Sequence, residues 1–163
     1  MSEIWMPIPE FNKYLISPEG DIKNKLRDSL VKTSQNAQGV VMVKLMGPDG
    51  RHTRSVALLV AQAYLPPPRN PSYNSIIFLD GDRTNCSALN LAWRPRWYAV
   101  RYHKMFDREP MNISVMIEDT GEVFGTLREA CMKYGLEEQY TYIDMLNGDP
   151  CFHYGYRFRH LSE

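Results

Sequence analysis

Apolar positions along this chain fall into short runs, most with the alternation of strands and a few with the spacing of helices. Pro7, Pro9 and Pro18 exclude a long opening helix. Tyr14 to Ser17 and Asp21 to Lys25 read as two short strands around the turn Pro18-Glu19-Gly20. Val40 to Met46 alternates, reaches Gly47-Pro48-Asp49-Gly50 and returns through Arg51 to Val56, which predicts a β-hairpin with a four-residue loop. Ala57 to Tyr64 is apolar almost throughout and predicts a short buried helix, ended by Pro66-Pro67-Pro68. The stretch from Pro66 to Ser75 carries four prolines and is expected to be extended and exposed.

The pattern changes at the centre. Ile76 to Leu79 is a short apolar strand, Asp80-Gly81-Asp82 a tight turn, and a polar loop follows through Asn85. A second short apolar segment ends on Trp93, and Arg94 to Lys104 reads as a helix with Pro95 in its first turn. Phe106 to Met111 is a charged linker. Ile113 to Ile117 and Glu122 to Phe124 then predict a hairpin over Asp119-Thr120-Gly121. Thr126 and Glu129 form a capping box for a helix ending at Gly135, and a second helix runs from Glu138 to Asn147 before Gly148. Aromatics at 152, 154, 156 and 158 alternate as a closing strand would. The fold class expected is α+β.

Composition changes this picture in four ways. At 44% hydrophobic and 12% aromatic, the 163 residues suffice to bury cores. No apolar run approaches the roughly 20 residues of a membrane span. Cys86, Cys131 and Cys151 are odd in number and widely separated, which suits reduced thiols in a cytosolic protein better than a disulfide frame or a zinc site. The net charge of zero hides an asymmetry. Residues 1–104 carry 14 Lys+Arg and 8 Asp+Glu, a net of +6, whereas residues 105–163 carry 5 and 11, a net of −6. Any polyanion contact would then belong to the front part; two solvated surfaces of opposite sign are the alternative.

The central stretch resembles the second half of an HNH homing-endonuclease site, of the sort found in phage and intron nucleases. Asp80, Gly81, Asp82, Arg83, Thr84, Asn85, Asn90, Leu91 and Trp93 match that family's frame. Glu3, Trp5, Ile8, Pro9, Phe11, Tyr14, Ser17, Gly20, Ile22 and Lys23 match the small modular domain that precedes it. Leu59, Val60, Ala61, Ala63 and Tyr64 match the helix in between. Towards the C-terminus, Gly121 to Phe124, Glu129-Ala130, Gly135, Ile143, Leu146 to Gly148 and Gly155-Tyr156 resemble the family's helix-turn-helix repeat. The resemblance implies three modules: a β-rich one over residues 1–46, a ββα centre over 47–105 and a helix-turn-helix module over 112–163.

It also implies where the chemistry should be. The family's catalytic His position is Phe78, its metal-ligand neighbour is Ile77, and a further His position, on the preceding helix, is Ala57. Asn90 alone is retained, and His103 lies one place from the His expected near the end of the following helix. An HNH nuclease needs a general base and one divalent cation on the scissile phosphate. Phe78 cannot take a proton, and neither Ile77 nor Ala57 offers the oxygen or imidazole that a hard cation wants. His52, His103, His153 and His160 share no metal-ligand spacing, and Asp80 with Asp82 reads as a turn-forming pair. The expectation is a catalytically inactive HNH-like protein without metal or cofactor. It would bind DNA through Lys44, Arg51, Arg54, Arg83, Arg94, Arg96 and Arg101, in a regulatory or inhibitory role in the cytoplasm. The alternative is a scaffold that engages a protein partner through its acidic C-terminal module. From Glu137 to Asp149 that module has four acids and no Lys or Arg, which argues against DNA binding there.

Overall fold

Two antiparallel sheets and a helix build the front of the molecule, and the computed structural model describes it from residue 4, with the chain followed to residue 162. Glu3, one of the matches noted above, lies outside the described residues. Strands β1 (Met6–Ile8), β2 (Phe11–Ile16), β3 (Ile22–Asn24) and β4 (Ser29–Leu30) form a sheet in sequence order. Strands β5 (Thr33–Gln35), β6 (Val41–Gly47) and β7 (Gly50–Ser55) form the next, also in order. The β6–β7 register pairs Gly47 with Gly50, so the hairpin turns over Pro48-Asp49 alone. The four-residue loop expected from sequence is thus a two-residue one, because both glycines still pair.

Helix α1 (Val56–Tyr64) starts where the Ser55 hydroxyl accepts from the Leu58 amide at 3.3 Å. Its Val56, Ala57, Leu59 and Val60 enter a core with Ile8, Phe11, Tyr14, Ile16, Ile22, Val43, Leu45, Phe78, Cys86 and Leu91. Strands β8 (Ser75–Phe78) and β9 (Leu91–Arg94) pair antiparallel. Cross-links seal this core. The Tyr14 hydroxyl accepts from the Met46 amide at 3.1 Å, the Tyr64 hydroxyl donates to the Ile16 carbonyl at 2.6 Å, and the Ala88 amide donates to the Pro18 carbonyl at 2.8 Å. Gly20 sits at that last junction with φ +96°, and a Cβ there would stand 3.1 Å from Cys86 Cβ and 3.2 Å from Val56 Cγ1. Only glycine meets both demands.

The chain divides into two compact units between Pro95 and Arg96. The two front modules implied by the resemblance share one core as far as Pro95, and the helix after the central hairpin belongs to the second unit. That helix, α2 (Arg96–Lys104), is followed by a short 3₁₀ turn over Met105–Asp107. Strands β10 (Val115–Ile117) and β11 (Val123–Phe124) make the expected hairpin. Helices α3 (Leu127–Tyr134) and α4 (Glu138–Asn147) come next, each ending on a left-handed glycine, Gly135 and Gly148. At the start of α3 the Thr126 hydroxyl accepts from the Glu129 amide at 3.2 Å.

The closing strand β12 covers only Phe158–His160 and pairs with β10. The expected strand from 152 is replaced by a tight loop in which the Cys151 amide donates to the Tyr156 carbonyl at 2.8 Å. His153 and Gly155 both take positive φ there, which alternation cannot survive. The aromatics instead cluster, with Tyr154 stacked on Tyr156 and both meeting Tyr134 edge to face.

Two polar links organise this unit around its core of Val115, Ile117, Leu127, Ala130, Cys131, Leu136, Cys151 and Phe158. Buried Arg128 on α3 reaches Glu138 on α4 through Nε at 3.2 Å and Nη2 at 3.3 Å, and Nη2 also donates to the carbonyls of Met105 (2.8 Å) and Arg108 (3.1 Å). On α2 the Tyr98 hydroxyl accepts from the Glu137 amide at 2.7 Å, with its ring stacked on Phe152 at 4.4 Å.

Candidate nucleic-acid interface

The β8–β9 hairpin places Phe78 opposite Leu91 and Ile77 opposite Ala92. Phe78 is 5% exposed and Ile77 0%, and Ala57 on α1 is buried in the same unit. These three apolar side chains are core residues.

The loop joining the strands holds itself together. The Asp80 amide donates to Asn90 Oδ1 at 3.0 Å, and Asn90 Nδ2 returns to Asp80 Oδ1 at 2.9 Å and to the Asn85 carbonyl at 3.0 Å. Asn85 Nδ2 donates to the other Asp80 oxygen at 3.0 Å, and the Asp82 amide donates to Asp80 Oδ1 at 2.8 Å. Asp82 in turn accepts from the Thr84 amide at 2.9 Å and from its hydroxyl at 2.6 Å. Burial works against ionised Asp80, but the donors from Asn85, the Asp82 amide and Asn90 outweigh it and hold the carboxyl below its ordinary value. Each polar side chain of the Asp80–Asn85 frame that resembles the nuclease family, Arg83 apart, thus closes the turn.

A divalent cation does not fit this set. Phe78, Ile77 and Ala57 have no donor atoms, and the Asp80 and Asn90 groups are turned on each other. Among the described residues no three His, Cys, Asp or Glu side chains come together as ligands would. The histidines are dispersed. His52 pairs with Asp49 at 2.7 Å, and that hydrogen bond lowers the Asp49 carboxyl from its ordinary value. His103 meets the Tyr102 ring and His153 the Tyr154 ring.

Within the first unit, the basic residues named from sequence do not share one face. Lys44 pairs with Thr53 across β6 and β7, and Met46 with Arg51. By the two-residue period of strands, Lys44 and Arg51 share the outer face, both exposed. Arg54 lies on the opposite face, half-buried, with its guanidinium 5.4 Å over the Phe11 ring. Arg83 is half-buried and reaches towards the Gln38 carbonyl at 3.5 Å. Arg94 is 2% exposed and its Nη1 donates to the Trp93 carbonyl at 2.6 Å, which corrects its expected place on a solvent-facing surface. Arg96 and Arg101 are exposed on α2, within the second unit.

The acidic character of the C-terminal module also changes. Of the four acids between 137 and 149, Glu137 and Glu138 are buried. Glu138 holds Arg128, and Glu137 caps α4 by accepting from the Tyr140 amide at 2.8 Å. Asp144 is half-buried, its carboxyl raised by burial and by nearby Asp149. The exposed side of α4 carries Gln139, Ile143, Leu146 and Asn147, none of them charged.

No protein-family model matches the chain, and no curated protein matches it. Among solved structures it is similar to the HNH homing endonuclease I-HmuI, described for its DNA binding and cleavage. The two share 22% identity and a TM-score of 0.54, over 98% of this chain and 99% of that one. The fold is that of an HNH homing endonuclease. The similarity extends through both units, as the resemblance in three modules implied. Among the described residues, no helix of this HNH-like chain is long and apolar enough to cross a membrane.

Proposed function

We propose that this protein binds duplex DNA on an HNH scaffold and does not cut it. Of the two activities named for the similar structure, it keeps the first and lacks the second. The observation that carries this reading is the state of the hairpin. Ile77 and Phe78 are core residues at 0% and 5% exposure, and the one retained amide of the expected catalytic set, Asn90, is bonded into the turn. Without a general base the rate falls by about two to four orders of magnitude, and without metal ligands the phosphate has no counter-charge.

Lys44 and Arg51 on the sheet, and Arg96 and Arg101 on α2, are the exposed cations offered to phosphate, and half-buried Arg83 lies in the loop between β8 and β9. A DNA-bound protein that leaves the strand intact would act by occupying its site, as a regulator or inhibitor. The protein-partner alternative loses support, since Glu137 and Glu138 of that module are buried and engaged within it. The test is to rebuild the site. Phe78→His alone should destabilise the fold by about 1.5–3 kcal/mol of lost aromatic burial and still give no nicking. Ala57→His, Ile77→Asn and Phe78→His together, incubated with supercoiled plasmid and magnesium or manganese, should restore nicking absent from the wild type. A triple variant that stays folded and binds DNA yet never nicks would contradict these positions as the lost site.

A further inference from the structure

Helix α2 turns a cationic and aromatic face outward. Arg96, Trp97, Val100, Arg101 and Lys104 are all exposed, and their spacing places them on one side of the helix. With Arg108 they line an open groove of the second unit. Trp97 is 55% exposed, yet its ring is braced. Tyr98, Tyr140 and Phe152 meet it edge to face, with centroids 5.5, 6.5 and 5.6 Å away.

Two of the cations are held too. The Arg101 guanidinium lies 5.1 Å over the Tyr140 ring, and Arg108 Nη1 donates to Gln139 Oε1 at 2.9 Å. The one carboxylate in the wall, Glu137, is buried and engaged at the start of α4.

A merely solvated helix face has no need of a braced indole in its first turn, and an indole placed for packing alone would be mostly covered. What fits is a ligand with a flat ring to stack and negative charges on either side of it. Duplex DNA keeps its base faces stacked inside, and an acidic peptide brings carboxylates without the ring. From Arg96 to Lys104 the helix spans about 12 Å, a length for a short run of nucleotides rather than one.

The geometry points to a binding site for single-stranded nucleic acid, in which a base stacks on Trp97 while neighbouring phosphates lie against Arg96, Arg101, Lys104 and Arg108. It goes beyond duplex binding and rests on that reading only in sharing Arg96 and Arg101.

The probe is a fluorescein-labelled oligothymidylate, followed by anisotropy and by tryptophan emission on the full chain. Binding should quench part of the emission and protect it from acrylamide. Trp97→Ala should lose about tenfold in affinity together with that quench, whereas Trp97→Phe, which keeps a ring face, should retain most of the affinity. Replacing Arg96, Arg101 and Lys104 by Gln should lower the salt slope by about two. Thermal melts of each variant check folding. If the alanine variant does not fold, the phenylalanine variant and acrylamide protection in the wild type decide the matter.

No binding of oligothymidylate, or wild-type affinity in a folded Trp97→Ala, overturns the inference. So does a polyglutamate peptide that binds as tightly with the same Trp97 dependence, which would make the groove a site for an acidic protein segment. Duplex DNA is titrated beside the oligothymidylate. Loss of single-strand binding with duplex binding intact removes this inference alone. The reverse result removes the duplex reading and leaves this one standing.

Discussion

Asn90 is the residue whose meaning changes most between sequence and structure. The resemblance singles it out as what remains of a catalytic set, and its three side-chain hydrogen bonds make it the clamp of the Asp80–Asn85 turn. Asn90→Ala should leave the Asp80 amide without its acceptor and cost about 1–3 kcal/mol, read from urea unfolding. The same network sets a pH dependence. Asp80 is held below its ordinary value, so its contribution to stability is present above the ordinary carboxylate range and is lost as pH falls through the lowered pKa. Unfolding followed down to about pH 2–3 should be less acid-sensitive in Asp80→Asn than in the wild type. An equally steep acid loss in both would place the sensitivity elsewhere. Asp-Gly turns and glycine helix stops were legible in the sequence because each has a local cause. The burial of Arg94 was not, since an arginine within RPRW reads as one more exposed cation.

At the scale of elements, strand alternation decides which cations can act together. Lys44 and Arg51 face outward on β6 and β7, while Arg54 lies on the other face over Phe11. Lys44→Gln with Arg51→Gln should lower the salt slope of duplex binding by about two, and Arg54→Gln should leave it unchanged. A gel-shift series over salt concentration measures both. An equal effect of Arg54→Gln would mean that the opposite face also meets DNA. This split was readable in principle from the period of two. The pairing of Arg128 with Glu138 was not, because only tertiary packing brings α3 and α4 to that register. Breaking it with Arg128→Ala leaves a buried carboxylate uncompensated and should cost about 3–5 kcal/mol, visible as a lowered melting temperature. A melting temperature close to that of the wild type would show that Glu138 is solvated or neutralised instead.

Over the whole molecule, the charge asymmetry seen along the chain does not follow the structural division. The second unit carries 8 Lys+Arg and 11 Asp+Glu, with three of its cations on α2 and two of its acids buried. Counting charges along the sequence separated a basic part from an acidic one. The fold puts the last basic helix into the acidic unit and turns part of the acid inward. The α+β class and most element boundaries were legible because turns and caps are local. The division at Pro95 was not, because it depends on α2 packing through Tyr98, whose hydroxyl meets the Glu137 amide. One assay decides whether the protein binds DNA without cutting it: the purified wild type incubated with supercoiled plasmid and magnesium or manganese. The expected result is a shifted complex that weakens with salt and releases intact supercoiled DNA. Nicked or linear plasmid, abolished by chelator and retained through purification to homogeneity, would contradict an inactive site.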